Sequence, residues 1–136
     1  MRLPLIFISS AILIGCSATP PANLGVADNR LAPCPDSPNC VSSFATAPDQ
    51  AIAPFAANIE QVKNVIAQLN EAKITESTPD YLHVEFTSAV FRFVDDVEFL
   101  WDAEQGVTQL RSASRLGYSD LGVNRARIEK LREMLQ

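Results

Sequence analysis

From Tyr81 to Thr87 apolar and polar side chains alternate without a break. Leu82, Val84 and Phe86 fall on one side and Tyr81, His83, Glu85 and Thr87 on the other. A period of two is the pattern of a strand whose two faces meet different surroundings, and it excludes a helix, whose period is 3.6. Three neighbouring stretches read the same way, at 72–77, 90–101 and 107–115. In 90–101, Phe91, Phe93, Asp95, Val97, Phe99 and Trp101 share one face, and Arg92, Val94, Asp96, Glu98 and Leu100 the other. A break by turn or bulge at Asp95-Asp96 is the alternative, because it would spare Asp95 from burial. In 107–115, Leu110 opposes Gln109, Arg111, Ala113 and Arg115.

On either side the period changes. Ile59, Val62, Val65, Ile66 and Leu69 recur at helical spacing, and Asn58 with Gln61 three places on makes a capping box. This predicts a helix over about 58–70. A second helix starts near Val123 and buries Ile128, Leu131 and Leu135. The order α-β-β-β-β-α with short connections predicts an α+β domain: an antiparallel four-stranded sheet with an N-terminal and a C-terminal helix packed on one face. No internal repeat is present.

The chain begins MRLPLIFISSAILIGC. One positive charge at Arg2 precedes an apolar run from Leu3 to Ile14, too short for the roughly 20 residues that a spanning helix needs and suited to a secretory signal. Leu13-Ile14-Gly15-Cys16 resembles the lipobox of bacterial lipoproteins. That resemblance implies a signal over 1–15, cleavage before Cys16, a diacylglycerol on its sulfur and an acylated amino terminus, a multi-chain anchor that holds to a membrane where one chain would not. Ser17 stands where an Asp would signal inner-membrane retention. The expected address is the periplasmic face of the cell envelope, the outer membrane before the inner.

Cleavage there leaves about 120 residues, one domain with room for a core. The formal charge of the whole chain is −5, and loss of Arg2 makes it more negative. An acidic domain is a poor partner for nucleic acid, which is held by neutralising phosphates. With Cys16 given to lipid, Cys34 and Cys40 remain as a pair. In an oxidising compartment they read most simply as a local disulfide, with a redox-active pair or free thiols as the alternatives. A zinc site would want four ligands, and the lone histidine, His83, lies far along the chain. Seven of the nine prolines fall between Pro20 and Pro54. Residues 16–32 are therefore expected to form a flexible tether from the lipidated cysteine, with a single domain over 33–136 whose first part, to Phe55, is irregular but pinned by the cysteines.

Three blocks carry a further resemblance. They are Pro33-Cys34-Pro35-Asp36-Ser37-Pro38-Asn39-Cys40-Val41-Ser42-Ser43, then Phe86-Thr87-Ser88 with Phe91 to Phe99, then Arg111 to Arg115 with Gly117 to Arg125. In order and over about 31–135 they resemble the family known as domain of unknown function 1499. The resemblance implies no activity. It places Cys34, Cys40, Asp95, Asp96, Arg111, Arg115, Asp120, Asn124 and Arg125 in signature blocks.

The last block suggests chemistry most. Arg111 and Arg115 leave a strand, Gly117 and Gly122 turn the chain, and Asn124 and Arg125 open a helix whose free N–H groups favour an anion. Arg115, Asp120, Asn124 and Arg125 are expected to converge on one spot, with Arg111 and Tyr118 completing a ligand site. The opposing reading is a brace: Asp120 caps the helix and the arginines pair with acids. Asp95, Asp96 and Glu98 are secondary candidates for acid–base work, against cross-strand pairing such as Glu98 with Arg111. His83 is expected at the surface, and the aromatic run Phe86, Phe91, Phe93, Phe99 and Trp101 in the core. No Ser-His-Asp pattern, phosphate loop or metal spacing appears, and no cofactor is expected. Two function classes follow. The favoured one is a non-enzymatic envelope lipoprotein that binds a small anionic or amphipathic ligand or a partner protein. The other is an envelope enzyme using Asp95/Asp96 and Arg111/Arg115.

Overall fold

The computed structural model describes residues 19–136. The expected signal 1–15 and the lipidation at Cys16 lie outside these residues. The elements run β1 (Val26–Ala27), β2 (Arg30–Leu31), β3 (Cys40–Ser42), α1 (Ile59–Ile66), β4 (Ala72–Ser77), β5 (Tyr81–Thr87), β6 (Val94–Asp102), β7 (Val107–Ser114) and α2 (Val123–Met134). The class is α+β. The main sheet has five strands rather than four, in the order β3-β7-β6-β5-β4, and every pairing is antiparallel. The extra strand, β3, pairs Cys40 with Ala113 and Ser42 with Arg111. Three residues after a proline-rich run are too few for alternation to declare itself.

Parity sorts the side chains. Leu82, Val84, Phe86, Val97, Phe99 and Leu110 join one buried cluster with Phe55, Ile59, Val62, Val65, Ile66, Ile128 and Leu131, and Phe55 stacks on Phe99 at 5.9 Å. Each such side chain taken from water stabilises the fold by roughly 1.5–3 kcal/mol. The capping box at the start of α1 forms as its sequence predicts, with Asn58 and Gln61 satisfying each other's backbone N–H.

One alternative is excluded and three expectations are corrected. Pairing of β5 with β6 runs unbroken through Phe86–Asp95 and Glu85–Asp96, so no bulge spares Asp95, which is buried. Strand β6 begins only at Val94. Phe91 and Phe93 therefore sit in the turn before it, 75% and 54% exposed, and leave the core. His83 is buried rather than at the surface. Finally, residues 19–32 of the stretch expected as a tether are folded chain. Asp28 and Asn29 both take left-handed backbone (φ 51° and 55°), the geometry of a tight hairpin turn that Asp and Asn tolerate, and join β1 to β2. From this hairpin Gly25 N–H donates to Glu98 at 2.7 Å, and Leu31 is buried. The hairpin thus lies over the polar-patterned side of the sheet at Glu98, the cross-strand neighbour of the buried His83.

Cys34 and Cys40 are joined in a disulfide. It closes a short loop, so Cys34→Ser should cost about 2 kcal/mol by chain entropy. A urea titration under non-reducing conditions checks this, with the midpoint falling and the slope little changed.

Candidate functional site

Two polar clusters lie on opposite sides of the sheet. The first is built from residues of one parity on β5, β6 and β7. Arg115 holds Asp96 with two hydrogen bonds of 2.7 Å, from Nε and Nη2, and also reaches Glu85. His83 Nε2 lies 2.8 Å from Asp96 Oδ1, and its Nδ1 meets the hydroxyl of Thr75. One position along, Glu98 accepts from Arg111 Nη1 at 3.2 Å, from Tyr81 hydroxyl at 2.8 Å and from Gly25 N–H. Asp96 and Glu98 are 1% and 0% exposed. Charges this buried persist only when paired and hydrogen-bonded.

Burial pushes the Asp96 carboxyl upward, but the hydrogen bonds from Arg115 and His83 and their charges outweigh it and hold Asp96 below the usual carboxylate range. For Tyr81 burial comes first and the adjoining Glu98 charge adds to it, so the phenol is pushed well up. A carboxyl lowered in the folded state gives stability that is fully present above its unfolded value, about 3.9, and is lost as pH falls through the lower folded value. Asp96→Asn should therefore lower stability at neutral pH and flatten its decline below about pH 4. Denaturant melts between pH 2.5 and 7 read both effects.

One donor in this cluster is left over. Arg111 is 4% exposed, and its Nε is a buried side-chain nitrogen with no hydrogen-bond partner among the described residues. Arg111 lies on the wall of a cleft of about 420 Å³, shared with Asp96, Arg115, Thr19, Asn23 and Cys34.

The second cluster centres on Asn124, which is fully buried. Its amide nitrogen faces Asp120 Oδ2 at 2.8 Å, Ser114 Oγ at 2.9 Å and Asn39 O at 3.1 Å. Its oxygen accepts from Ser112 Oγ at 2.6 Å and Arg127 Nη1 at 2.7 Å. Arg127 continues to Asp95 and lies over the Phe86 ring. Asp120 accepts from the N–H groups of Gly122 and Asn124. Burial raises this carboxyl, and those bonds outweigh it and hold it low. The anion at the start of α2 is thus the chain's own Asp120.

The expected convergence does not form. Asp120 and Asn124 meet, but Arg115 shares its parity with Arg111 and turns to the other side of the sheet, where Asp96 lies. Arg125, about 100° around the helix from Asn124, donates instead to the backbone oxygens of Asp49 and Ala51 at 3.0 and 2.9 Å. Tyr118 is 76% exposed. Arg125→Ala should cost about 1–2 kcal/mol, the worth of hydrogen bonds from a charged donor, and a thermal melt beside wild type checks it. Asp95 and Asp96, taken together as acid–base candidates, point to opposite sides of β6. Sequence reasoning missed Arg127, although its place three residues after Asn124 puts the two on one helix face. It also missed the Thr75–His83–Asp96 chain of hydrogen bonds, in which Asp96 is already held by Arg115.

Beyond the clusters, an apolar groove of about 530 Å³ lies between α2 and the end of β5, lined by Leu69, Phe86, Val123, Ala126 and Leu131 with Lys130 beside them.

The model of the family described as protein of unknown function DUF1499 matches residues 30–135. The chain belongs to this family. No curated protein and no solved structure matches it. The DUF1499 match begins at β2 and takes in the side chains of both polar clusters, while Gly25, which donates to Glu98, precedes it. The residues that close the Arg111 cleft from the N-terminal side, Thr19 to Asn23, precede it.

Proposed function

We propose that this DUF1499 protein is a cell-envelope lipoprotein, acylated at Cys16 on the periplasmic side, whose domain binds a small anionic ligand without transforming it. The observation that carries the reading is the Nε–H of Arg111, buried and without a partner among the described residues, on a side chain that lines a cleft. A buried donor without a partner costs roughly 1–3 kcal/mol, and a ligand carboxylate or phosphate oxygen would remove that cost with a charge-assisted bond. Both helices are read as covering the apolar side of the sheet, which leaves the hairpin side for the ligand.

The enzyme reading has less support. A general base needs a free lone pair and a pKa near the working pH. Asp96 is held low and engaged by Arg115 and His83, Glu98 is engaged by three donors, and Asp95 is across the sheet with Arg127. An amphipathic ligand is the second reading. The apolar groove favours that, with Lys130 at its edge, 3.7 Å from the Glu71 carboxylate on the same wall.

Two measurements test the proposal. An alkyne fatty acid fed to cells should label the wild type and miss Cys16→Ser, and equal labelling would contradict the anchor. Inorganic phosphate, glycerol 3-phosphate or citrate should raise the melting temperature of the wild type in proportion to the logarithm of its concentration above Kd. An unmoved Tm with all three refutes the anionic-ligand reading, and a rise with a medium-chain fatty acid alone favours the groove.

A further inference from the structure

The large apolar side chains that remain exposed are not scattered. Six of them, Val90, Phe91, Phe93, Leu116, Tyr118 and Leu121, lie in two loops, the turn from β5 to β6 and the connection from β7 to α2, and a seventh, Val123, opens α2 directly after the second. Register puts both loops at one end of the sheet, because Thr87 pairs with Val94 and Asp95 with Ser114. Arg115 N–H closes the corner on Val94 O. The two phenylalanines stack on each other at 5.7 Å instead of on the core.

Each loop also contains a residue without glycine's freedom in left-handed backbone, Arg92 (φ 57°) and Leu121 (φ 54°). Leu121 is 94% exposed, so no packing compensates it. Backbone held this way gathers where function requires it.

The first described residue approaches the same end. Thr19 lines the cleft whose wall follows the end of β7 from Arg111 to Ser114 and Arg115, the residues before the second loop. Cys16 is three residues earlier, and three residues span at most about 11 Å. An acyl anchor there leaves no slack to lift the domain away, so this end is the one brought to the bilayer. Charge agrees. In a chain of net charge −5, the two loops hold a single carboxylate, Asp120, already bonded to Gly122 and Asn124, and they present Arg92. An acidic surface would be repelled by anionic headgroups, and this one is not.

We infer that the loops 88–93 and 116–122 form a lipid-contacting tip, with Phe91, Phe93, Tyr118 and Leu121 seated at the headgroup–acyl boundary, where aromatic and apolar side chains are favoured. The inference rests on the Cys16 anchor of the proposed function and adds the orientation of the domain on the membrane.

The test uses full-length acylated protein, purified from membranes and reconstituted into phosphatidylethanolamine–phosphatidylglycerol vesicles with brominated acyl chains. Flotation reports the anchor, and fluorescence reports the tip. The indole introduced by Phe91→Trp should be blue-shifted and quenched severalfold by the bromines. The one native tryptophan, Trp101, near the far end of β6, should be quenched little. Leu121→Gly should raise Tm by relieving the backbone and, combined with Phe91→Trp, should weaken the quenching of the introduced indole. Protein that floats while Phe91→Trp is quenched no more than Trp101 overturns the tip and leaves the anchor standing. Protein that neither floats nor carries an acyl chain overturns the anchor, and the tip with it. A Phe91→Trp signal shielded from acrylamide in native membranes but open to it in pure vesicles assigns the surface to a protein instead and overturns the lipid assignment.

Discussion

Arg115→Ala is expected to lower stability by about 3–5 kcal/mol, the cost of leaving buried charge unpaired. Its guanidinium is the common partner of Asp96 and Glu85, and the side chains of Arg115 and Asp96 are 5% and 1% exposed, so water cannot replace it. Arg115→Lys should recover only part of the loss, because one ammonium cannot reproduce the two parallel bonds to Asp96. Urea melts of the three proteins measure the effect. A loss below about 1 kcal/mol would be that of an exposed pair and would mean that the hairpin does not seal this side of the sheet.

The second large effect belongs to Asn124→Ala. The substitution leaves the buried Ser112 hydroxyl and Arg127 Nη1 without the oxygen they donate to and takes one of its two donors from Asn39 O, which keeps Ser114 N–H. With each stranded group worth roughly 1–3 kcal/mol, a loss of about 2–4 kcal/mol is expected in a thermal or urea melt. Strand β3 and the start of α2 should loosen together, visible as faster amide exchange at Val41 and Ile128. A near-neutral result would show that the cluster does not tie β3 to α2.

These two sites differ in how far the sequence reveals them. The alternation Leu82-Val84-Phe86 and the capping box at Asn58 are local, so the strand and the helix start were legible, as was the pairing of Glu98 with Arg111 across neighbouring strands. Alternation, however, says only that the two sides of a strand differ. It does not say that the polar side is wet. Tyr81, His83, Asp96, Glu98 and Arg111 fall on the polar side, where His83 was expected at the surface, and are buried, with a hairpin of two-residue strands laid over Glu98. The aromatic pattern misled in the opposite sense. Phe91 and Phe93 continue the parity of Val97 and Phe99, yet the turn ends the pleat before Val94. The site residues Arg115 and Arg125 were separated from Asn124 by β7 parity and helix rotation, both readable only once the register was fixed.

An anion that completes this domain would bond to one hydrogen, that on Arg111 Nε. In ¹⁵N-labelled protein the Nε–H resonance of Arg111 can be followed directly as inorganic phosphate, glycerol 3-phosphate and citrate are titrated in. A saturable shift of that resonance with at least one of the three, beside an unmoved Arg132, is the predicted result. A resonance that stays fixed through every titration would contradict the account.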